Sequence, residues 1–240
     1  MRKIRANCCY SPHGVGGALM EPKFAVLQKV RDGKRTYGVT PHIPGGFITS
    51  KQLSKIAEVA EKYKGILKMT SGQRIAILGL EPEDVEKVWE ELGMEPGVKS
   101  LNSVKNVHMC PAAFCKRAKQ NSLKIGMAFD KKYHGMATPC RTKIGVAGCR
   151  NACTSVYARD LGVIGDKEGY LVTAGGSGGF TPRVADIIAD KLTEEQVFVV
   201  VDTLMEYYKE NGEMGEKLGD FIQRIGLDKF KEDILSKSIK

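Results

Sequence analysis

Two closely spaced pairs of cysteines restrict the folds open to this chain more than any other feature. Cys110 and Cys115 form a C-x4-C pair, and Cys149 and Cys153 form a C-x3-C pair. Together with Cys140 they make up five of the seven cysteines in 240 residues. Four thiolates at this density are typical of a metal site or an iron–sulfur cluster. The sequence therefore predicts that two loops bring their cysteines to one centre, for electron transfer or for structural metal binding.

Three kinds of site fit this cysteine pattern. A [4Fe–4S] cluster takes four converging thiolates, and a C-x3-C turn at a helix start would present two sulfurs together with N–H groups that offset the cluster's negative charge. Gly148 would let the backbone pass close to such a cluster. Zinc is a second candidate, although zinc knuckles prefer a C-x2-C spacing that this sequence lacks. Inert buried cysteines are the third, but the surrounding sequence is loop-like rather than apolar.

The number of cysteines and the length of the apolar segments indicate the cellular compartment of the protein. Seven is an odd number, so the cysteines cannot all pair as disulfides within one chain. The first residues lack the apolar core of a secretory signal, and no apolar run is long enough to span a bilayer. We therefore expect a cytoplasmic protein, without membrane insertion, whose cysteines stay reduced and available to a metal.

The net charge of +9 raises the question of an anionic partner. The sequence contains no run of lysine and arginine with interleaved aromatic residues, so nucleic acid is not expected as a partner. A solvated surface would account for part of the charge. A pocket for an anionic ligand would account for the rest, and this is the interpretation that we favour.

Hydrophobic periodicity predicts a small α+β unit in the first half of the chain. Its order is β-α-β-β-α, with Thr49 or Ser50 as the helix cap and Glu81-Pro82 at the start of the second helix. In the region that follows, strands are predicted at 123–129 and 143–147, and a hairpin is predicted from 161–164 and 170–173. Helices are predicted after Thr181-Pro182, after a capping box at Thr193, and over 216–236.

Residues 143–153, followed by residues 157–165, resemble the signature of the sirohaem-containing sulfite and nitrite reductases. The chain resembles the short, single-module members of that family. The resemblance implies an α+β fold in which a ferredoxin-like half-domain is followed by a mixed α/β domain that binds sirohaem and a [4Fe–4S] cluster. We expect an N-terminal extension over residues 1–35, the half-domain over 36–100 and the cofactor-binding domain over 101–240.

The resemblance also implies a reaction, in which a small oxyanion is reduced by six electrons from an external ferredoxin-like or flavin-bearing donor. The substrate is sulfite, reduced to sulfide, or nitrite, reduced to ammonia, and we favour sulfite. Cluster ligands are carried over to Cys110, Cys115, Cys149 and Cys153, the last of which would bridge the cluster to the sirohaem iron. The expected oxyanion-binding groups, each of which could instead be an ordinary surface charge, are Arg74, Lys105, Arg141 and Lys143. The expected cofactor contacts are Thr70, Gln73, Asn151, Gly175, Gly176, Gly178 and Arg183.

Three departures from the family pattern keep alternatives open. The first cysteine pair is C-x4-C where the family usually has C-x5-C, so Cys140 could replace Cys110. Lys105 stands where the family usually has arginine, which keeps the charge but loses the planar fork. The chain has one half where larger members have two, so a symmetric homodimer could supply the missing half. The alternative function is a non-catalytic electron carrier or redox sensor on the same fold.

The remaining cysteines and the histidines give no further site. Cys8 and Cys9 are adjacent and are interpreted as bystanders. The four histidines are isolated in the sequence and are predicted to be ordinary surface or core residues.

Overall fold

The computed structural model describes residues 22–238. Cys8 and Cys9 lie outside these described residues, as does most of the predicted N-terminal extension. Within the described part, no helix is both long enough and apolar enough to cross a membrane.

The first module is a four-stranded antiparallel sheet with two helices. It contains the predicted β-α-β-β-α order, preceded by a short strand, Val26–Leu27, that the sequence did not predict. Its core consists of apolar side chains from the sheet and from both helices, such as Val39, Ile56, Ile77 and Val88. The elements are β1 Val26–Leu27, β2 Tyr37–Val39, α1 Ser50–Lys62, β3 Ile66–Met69, β4 Ile75–Leu80 and α2 Val85–Leu92. The strand order in the sheet is β1-β2-β4-β3.

Local signals in the sequence set the ends of these helices. A capping box starts α1, in which the Thr49 hydroxyl accepts the N–H of Gln52 at 3.2 Å and the Gln52 side chain accepts the N–H of Thr49 at 3.1 Å. A 3-10 turn, Pro82–Asp84, leads into α2. Gly93 ends α2 in a left-handed conformation with φ +58°, which a glycine adopts at little cost.

The second module is a five-stranded mixed sheet in the order β5-β6-β7-β8-β9. The strands β5, β6 and β7 run parallel, and the pairs β7–β8 and β8–β9 are antiparallel. The elements are β5 Val104–Met109, α3 Ser122–Tyr133, β6 Thr142–Ala147, β7 Leu161–Asp166, β8 Gly169–Ala174, β9 Asp186–Leu192, α4 Glu194–Asn211, α5 Leu218–Ile225 and α6 Leu227–Ser238. The predicted hairpin, the capping box at Thr193 and the short C-terminal helices are confirmed.

Two of the predicted elements are wrong in type. The strand predicted over 123–129 is part of helix α3, whose buried residues Ile125, Phe129 and Tyr133 recur every four positions. A helix is needed there because parallel strands such as β5 and β6 require a crossover connection. The helix predicted after Thr181-Pro182 is strand β9, because pairing with β8 outweighs a burial pattern that suits either structure.

The two faces of the second sheet differ in chemistry. One face packs on α3 and α4 through large apolar side chains, and Val200, Leu204 and Tyr208 of α4 belong to this core. The other face carries a small apolar cluster of Ala147, Val156, Ile164 and Leu171, and beside it glycines and polar residues. A Cβ at Gly162 would lie 2.3 Å from the Val156 side chain, so the sheet is covered closely at this point. This more polar side of the sheet carries the candidate site.

Candidate functional site

Two loops at the carboxyl edge of the second sheet carry the four predicted cluster ligands. Cys110 follows β5 directly, and Cys149 follows the end of β6. Because β5 and β6 are parallel, their carboxyl ends meet at the same edge. The loop that follows Cys110 is fastened to the loop of Cys149, since the N–H of Lys119 donates to the carbonyl of Gly148 at 2.7 Å. Both cysteine pairs are therefore brought to one edge.

Backbone and side-chain N–H groups point at the sulfur atoms. The N–H of Gly148 donates to Cys110 Sγ at 3.1 Å, and Asn151 Nδ2 donates to Cys153 Sγ at 3.0 Å. A Cβ at Gly148 would lie 2.7 Å from the Cβ of Ala112, so the two loops approach too closely for a side chain. Four thiols, two of which accept an N–H hydrogen bond on sulfur, form a donor set that fits a [4Fe–4S] cluster. Within residues 22–238, no three Cys, His, Asp or Glu side chains already meet at metal-ligand distances.

The turn around Cys149 differs from the predicted helix start. The chain passes through left-handed conformations at Ala152, with φ +46°, and at Ser155, with φ +55°. Only a single 3-10 turn, Val156–Ala158, follows. The donors to sulfur therefore come from the turn amide of Gly148 and from Asn151, and not from a helix that starts at Cys149.

Cys140 lies at the opposite end of the second sheet from the cysteine loops. It precedes β6, whereas Cys149 follows it, and this six-residue strand rises about 3.3 Å per residue, roughly 20 Å in all. Cys140 is also buried. The structure thus gives it no route to the centre formed by the other four cysteines.

A basic cavity of about 100 Å³ opens on the polar side of the same sheet. Four cations and a single acid, Asp160, share its wall with a glycine-rich loop. Burial, followed by the nearby charges of Arg141 and Arg159, lowers the pKa of Lys143. The excess of positive charge in a small enclosed volume suits a small anion. The lining residues are Arg141, Lys143, Ala158, Arg159, Asp160, Gly176, Ser177, Gly178, Gly179 and Lys217.

The glycine-rich loop passes so close to its neighbour that a side chain would not fit. A Cβ at Gly176 would lie 2.4 Å from the carbonyl oxygen of Tyr157 and 2.5 Å from that of Arg159. The loop is closed by two backbone hydrogen bonds between Ser177 and Arg183, at 2.9 and 2.8 Å. The guanidinium of Arg183 donates to the carbonyl of Gly219 at the start of α5. Arg183, a predicted cofactor contact, thus holds the loop against α5 in this structure.

Arg74 and Lys105 meet at the junction of the two modules, beside the cavity but outside its lining. Arg74 is buried and donates from Nη2 to the carbonyl of Lys105 at 2.5 Å. The ammonium of Lys105 donates to the carbonyl of Ser100. Burial, and then the cations Arg141 and Arg74, lower the pKa of Lys105 to about 8. Lys105 is therefore coupled electrostatically to Arg141, which does line the cavity.

The predicted contacts Thr70 and Gln73 connect the two modules. The Thr70 hydroxyl donates to the carbonyl of Arg74 at 2.9 Å and closes the turn between β3 and β4. The amide of Gln73 pairs with Met109, donating to its carbonyl at 2.8 Å and accepting its N–H at 2.9 Å. Asn106 adds a hydrogen bond to the carbonyl of Gly72 at 3.1 Å. This turn is thereby docked onto β5 immediately before Cys110.

Sequence reasoning missed several members of this region. Arg159 lay within the family signature without an assigned role, and Lys217 reaches the cavity from the start of α5, which no local pattern reveals. His108 is buried, and burial together with Arg159 and Lys143 lowers its pKa to about 3, so its ring is neutral. The signal that could have found His108 is its position two residues after Asn106 on one face of a strand.

Two other histidines, predicted to be isolated, lie together at the module junction. The rings of His42 and His134 stack with centroids 3.7 Å apart. His42 Nε2 is 2.7 Å from Asp130 Oδ2. These contacts join the first module to α3.

Comparison with known proteins identifies both modules. The family model described as nitrite and sulphite reductase 4Fe-4S domain matches residues 100–240, and the model described as nitrite/sulfite reductase ferredoxin-like half domain matches residues 28–95. An assimilatory-type sulfite reductase of Nitratidesulfovibrio vulgaris is 35% identical over 217 residues, which cover 90% of this chain and 98% of that protein. An NAD(P)H nitrite reductase of Bacillus subtilis is 36% identical over 209 residues, which cover 86% of this chain but 26% of that protein.

Solved structures share the fold. Dissimilatory sulfite reductase I (DsrI) superposes with a TM-score of 0.74 at 16% identity, covering 83% of this chain and 69% of that chain. The NirA protein of Mycobacterium tuberculosis gives a TM-score of 0.74 at 15% identity, covering 87% of this chain and 41% of that chain.

Proposed function

This chain belongs to the nitrite and sulphite reductase family, and from that membership we propose that it reduces sulfite to sulfide at the basic cavity of its second module. The predicted family, the α+β fold and the two cofactors, a [4Fe–4S] cluster and sirohaem, are confirmed. The protein is an oxidoreductase of the sulfite/nitrite reductase type. Sulfite is favoured because the sulfite reductase relative is matched over nearly its whole length.

Nitrite, reduced to ammonia, is the second candidate substrate. The nitrite reductase of B. subtilis is as similar in sequence as the sulfite reductase, but this chain spans about a quarter of it. Both substrates are small oxyanions, and the same cations would bind either one. An assay in which sulfite and nitrite compete for the same enzyme would therefore decide between the two substrates.

The basic cavity is the observation that carries the proposal. When bound, the cluster and sirohaem would relay electrons from the external donor and provide an iron that can hold the oxyanion. Arg141, Lys143 and Arg159 would offset the negative charge of the oxyanion in a volume that excludes most water. The reaction consumes protons, and Lys105, whose pKa is lowered to about 8, can donate one near neutral pH.

The cysteine loops and the glycine-rich loop would hold the two cofactors. Cys110, Cys115, Cys149 and Cys153 would hold the cluster, with Cys153 as its bridge to the sirohaem iron. The hydrogen bond from Asn151 to Cys153 supports a role for Asn151 at the cluster. Gly176 and Gly178 would let sirohaem carboxylates approach the backbone beside the cavity. The remaining predicted contacts, Thr70, Gln73, Gly175 and Arg183, would act mainly by holding the loops that surround the cofactor.

The lowered pKa of Lys105 predicts how activity depends on pH. Lys105 carries its proton below a pKa of about 8 and loses it above, so sulfite kcat/KM should fall as pH rises through that value. In Lys105→Arg the charge persists at all accessible pH values, so this fall should disappear. Lys105→Met should lower kcat/KM below pH 8 and also remove the fall. A pH profile of Lys105→Arg that still declines near pH 8 would assign the titration to another group.

An exposed basic loop beside Cys115 is the proposed docking site of the electron donor. The ring of Phe114 is 79% exposed and lies 6.4 Å from that of Phe47. Lys116, Arg117 and Lys119 follow it, all exposed, and their side chains form no ion pair with residues 22–238. An acidic ferredoxin-like or flavin-bearing protein would complement this surface next to a proposed cluster ligand.

Charge reversal tests the docking site. Replacing Lys116, Arg117 and Lys119 by glutamate should lower kcat/KM for an acidic ferredoxin donor at least about tenfold and flatten its dependence on salt. Turnover with reduced methyl viologen should be unchanged, because a small reductant needs no docking surface. Reversal of the exposed Lys131 and Lys229 serves as the control. Equal losses with both reductants would place the effect in the cluster loop and not in docking.

A further inference from the structure

Asp160 is the single acid among the described residues that line the basic cavity. Its side chain is buried, since the residue is only 5% exposed. Asp160 Oδ2 accepts the N–H of Lys143 at 2.9 Å, and the carbonyl of Asp160 accepts the N–H of Gly175 at 2.8 Å. These two hydrogen bonds fix the residue between β6 and the glycine-rich loop. The carboxyl group is therefore held in one position in the wall of the cavity.

No cation is paired directly with this carboxyl group. Within residues 22–238 Asp160 forms no ion pair, although the charges of Lys217 and Lys143 attract it from a greater distance. Burial raises the pKa of Asp160, and these lysines together with the N–H of Lys143 oppose only part of the rise. Asp160 therefore holds its proton more tightly than an exposed aspartic acid does. The titratable and charged groups around it are Arg141, Lys143, Arg159, Tyr208 and Lys217.

An oxyanion in the cavity would favour the protonated form of Asp160. The anion repels a neighbouring carboxylate, and it offsets the positive charges of Lys143 and Lys217 that stabilise that carboxylate. The enclosed volume of about 100 Å³ strengthens both effects, because little water is present to screen them. An occupied cavity would therefore hold a neutral carboxylic acid beside the bound anion.

We propose that Asp160 is the acid that delivers a proton to the oxygen that leaves the substrate. This inference rests on the proposed function, since it assigns a further catalytic residue to the same cavity. Lys105, the other proposed proton donor, lies outside the lining of the cavity, whereas Asp160 is part of it. A group that meets the substrate directly is needed because each oxygen that is removed takes up protons as it becomes water.

The step can be written for hydrogen sulfite, in which one oxygen already carries a proton. The O–H bond of the Asp160 carboxyl group breaks, and a second O–H bond forms on that oxygen. The sulfur–oxygen bond then breaks, and water leaves. The sulfur gains two electrons from the external donor, and the Asp160 carboxylate recovers a proton from the solvent.

Asp160→Asn separates binding from turnover. Asparagine keeps an oxygen that can accept the N–H of Lys143, but it has no proton to give as an acid. The kcat for sulfite and for nitrite with reduced methyl viologen should fall about 10²- to 10⁴-fold. The dissociation constant for nitrite, measured by absorbance titration of the oxidised, anaerobically purified holoenzyme, should stay the same or decrease, because no positive charge is lost from the cavity.

Two further variants complete this test. Asp160→Glu keeps an acid on a side chain one methylene longer and should recover part of the kcat. Asp228→Asn changes an exposed acid on α6 and should leave both nitrite binding and kcat unaltered. An Asp160→Asn enzyme with the native kcat overturns the inference. Loss of cofactor or of nitrite affinity in proportion to the loss of turnover also overturns it, because Asp160 would then be a structural residue.

The native protein offers a test that does not depend on how a variant folds. The infrared difference spectrum of the oxidised holoenzyme with and without nitrite should contain the carbonyl band of a protonated carboxyl group that belongs to the complex. A difference spectrum without this band overturns the inference while native turnover leaves the proposed function intact. A native holoenzyme that reduces neither oxyanion overturns the proposed function and the role of Asp160 with it.

Discussion

Replacing Cys149 with serine will abolish cluster binding and, with it, sulfite reduction. The serine hydroxyl stays protonated near neutral pH and is a poor substitute for a thiolate on iron, so one of the four proposed ligands is lost. Cys149 also follows Gly148, whose N–H bonds the sulfur of Cys110, so both loops lose their common centre. Iron and acid-labile sulfide contents after anaerobic reconstitution should fall to background, and turnover with reduced methyl viologen should vanish.

Cys140→Ala is the matched control for this variant. Cys140 is buried at the other end of β6, so its replacement should cost about 1 kcal/mol of stability and leave iron and sulfide contents unchanged. Cys110→Ser should behave like Cys149→Ser. A cluster that survives Cys110→Ser but not Cys140→Ala would reverse the assignment and make Cys140 the fourth ligand.

Lys143→Met should lower kcat/KM for sulfite about 10²- to 10³-fold, the range found when a group that stabilises developing charge is removed. The ammonium lines the cavity together with Arg141 and Arg159, and methionine keeps most of its length without its charge. Lys143→Arg should restore part of the kcat/KM, because arginine keeps the positive charge. It should restore little of any contribution from proton transfer, because arginine does not release its proton. Steady-state kinetics with an artificial reductant measures these effects.

Two controls separate this role from a structural one. Lys229→Met changes an exposed lysine on α6 and should leave kinetics unaltered. Iron, sulfide and extractable tetrapyrrole in Lys143→Met should match those of the native protein. If Lys143→Met carries full cofactor and turns over sulfite at the native rate, the cavity is not the site of oxyanion binding.

Much of the half-domain could be read from the sequence because its signals are local. The helix cap at Thr49 or Ser50 and the Glu81-Pro82 helix start each determine a boundary through neighbouring residues alone. The same holds for the capping box at Thr193. In these segments, hydrophobic periodicity and capping agree with the tertiary structure, so the prediction needed no knowledge of distant contacts.

Helix α3 and strand β9 were mistaken because distant partners decide their structure. Gly126 disfavours a helix and the β-branched Ile125 favours a strand locally, but the crossover between two parallel strands is usually a helix. Strand β9 exists because β8 offers an open edge to its backbone. Neither requirement is visible in a short window of sequence.

In the candidate site, too, some residues could be predicted from the sequence and others depend on distant contacts. The resemblance led to Arg141, Lys143 and the glycine-rich loop, which the fold does bring together around one cavity. It could not reveal Lys217, which arrives from a helix more than 70 positions after Lys143 in the chain. It also could not show that Arg74 is turned towards the backbone of Lys105 at the junction of the modules.

Turnover by the anaerobically purified holoenzyme tests the central claim most directly. With reduced methyl viologen as the electron source, sulfide from sulfite and ammonia from nitrite would be quantified in parallel for one preparation of known iron, sulfide and tetrapyrrole content. We expect stoichiometric sulfide, with a higher kcat/KM for sulfite than for nitrite. A preparation with full cofactor content that reduces neither oxyanion would contradict the account and identify the chain as an electron carrier or redox sensor.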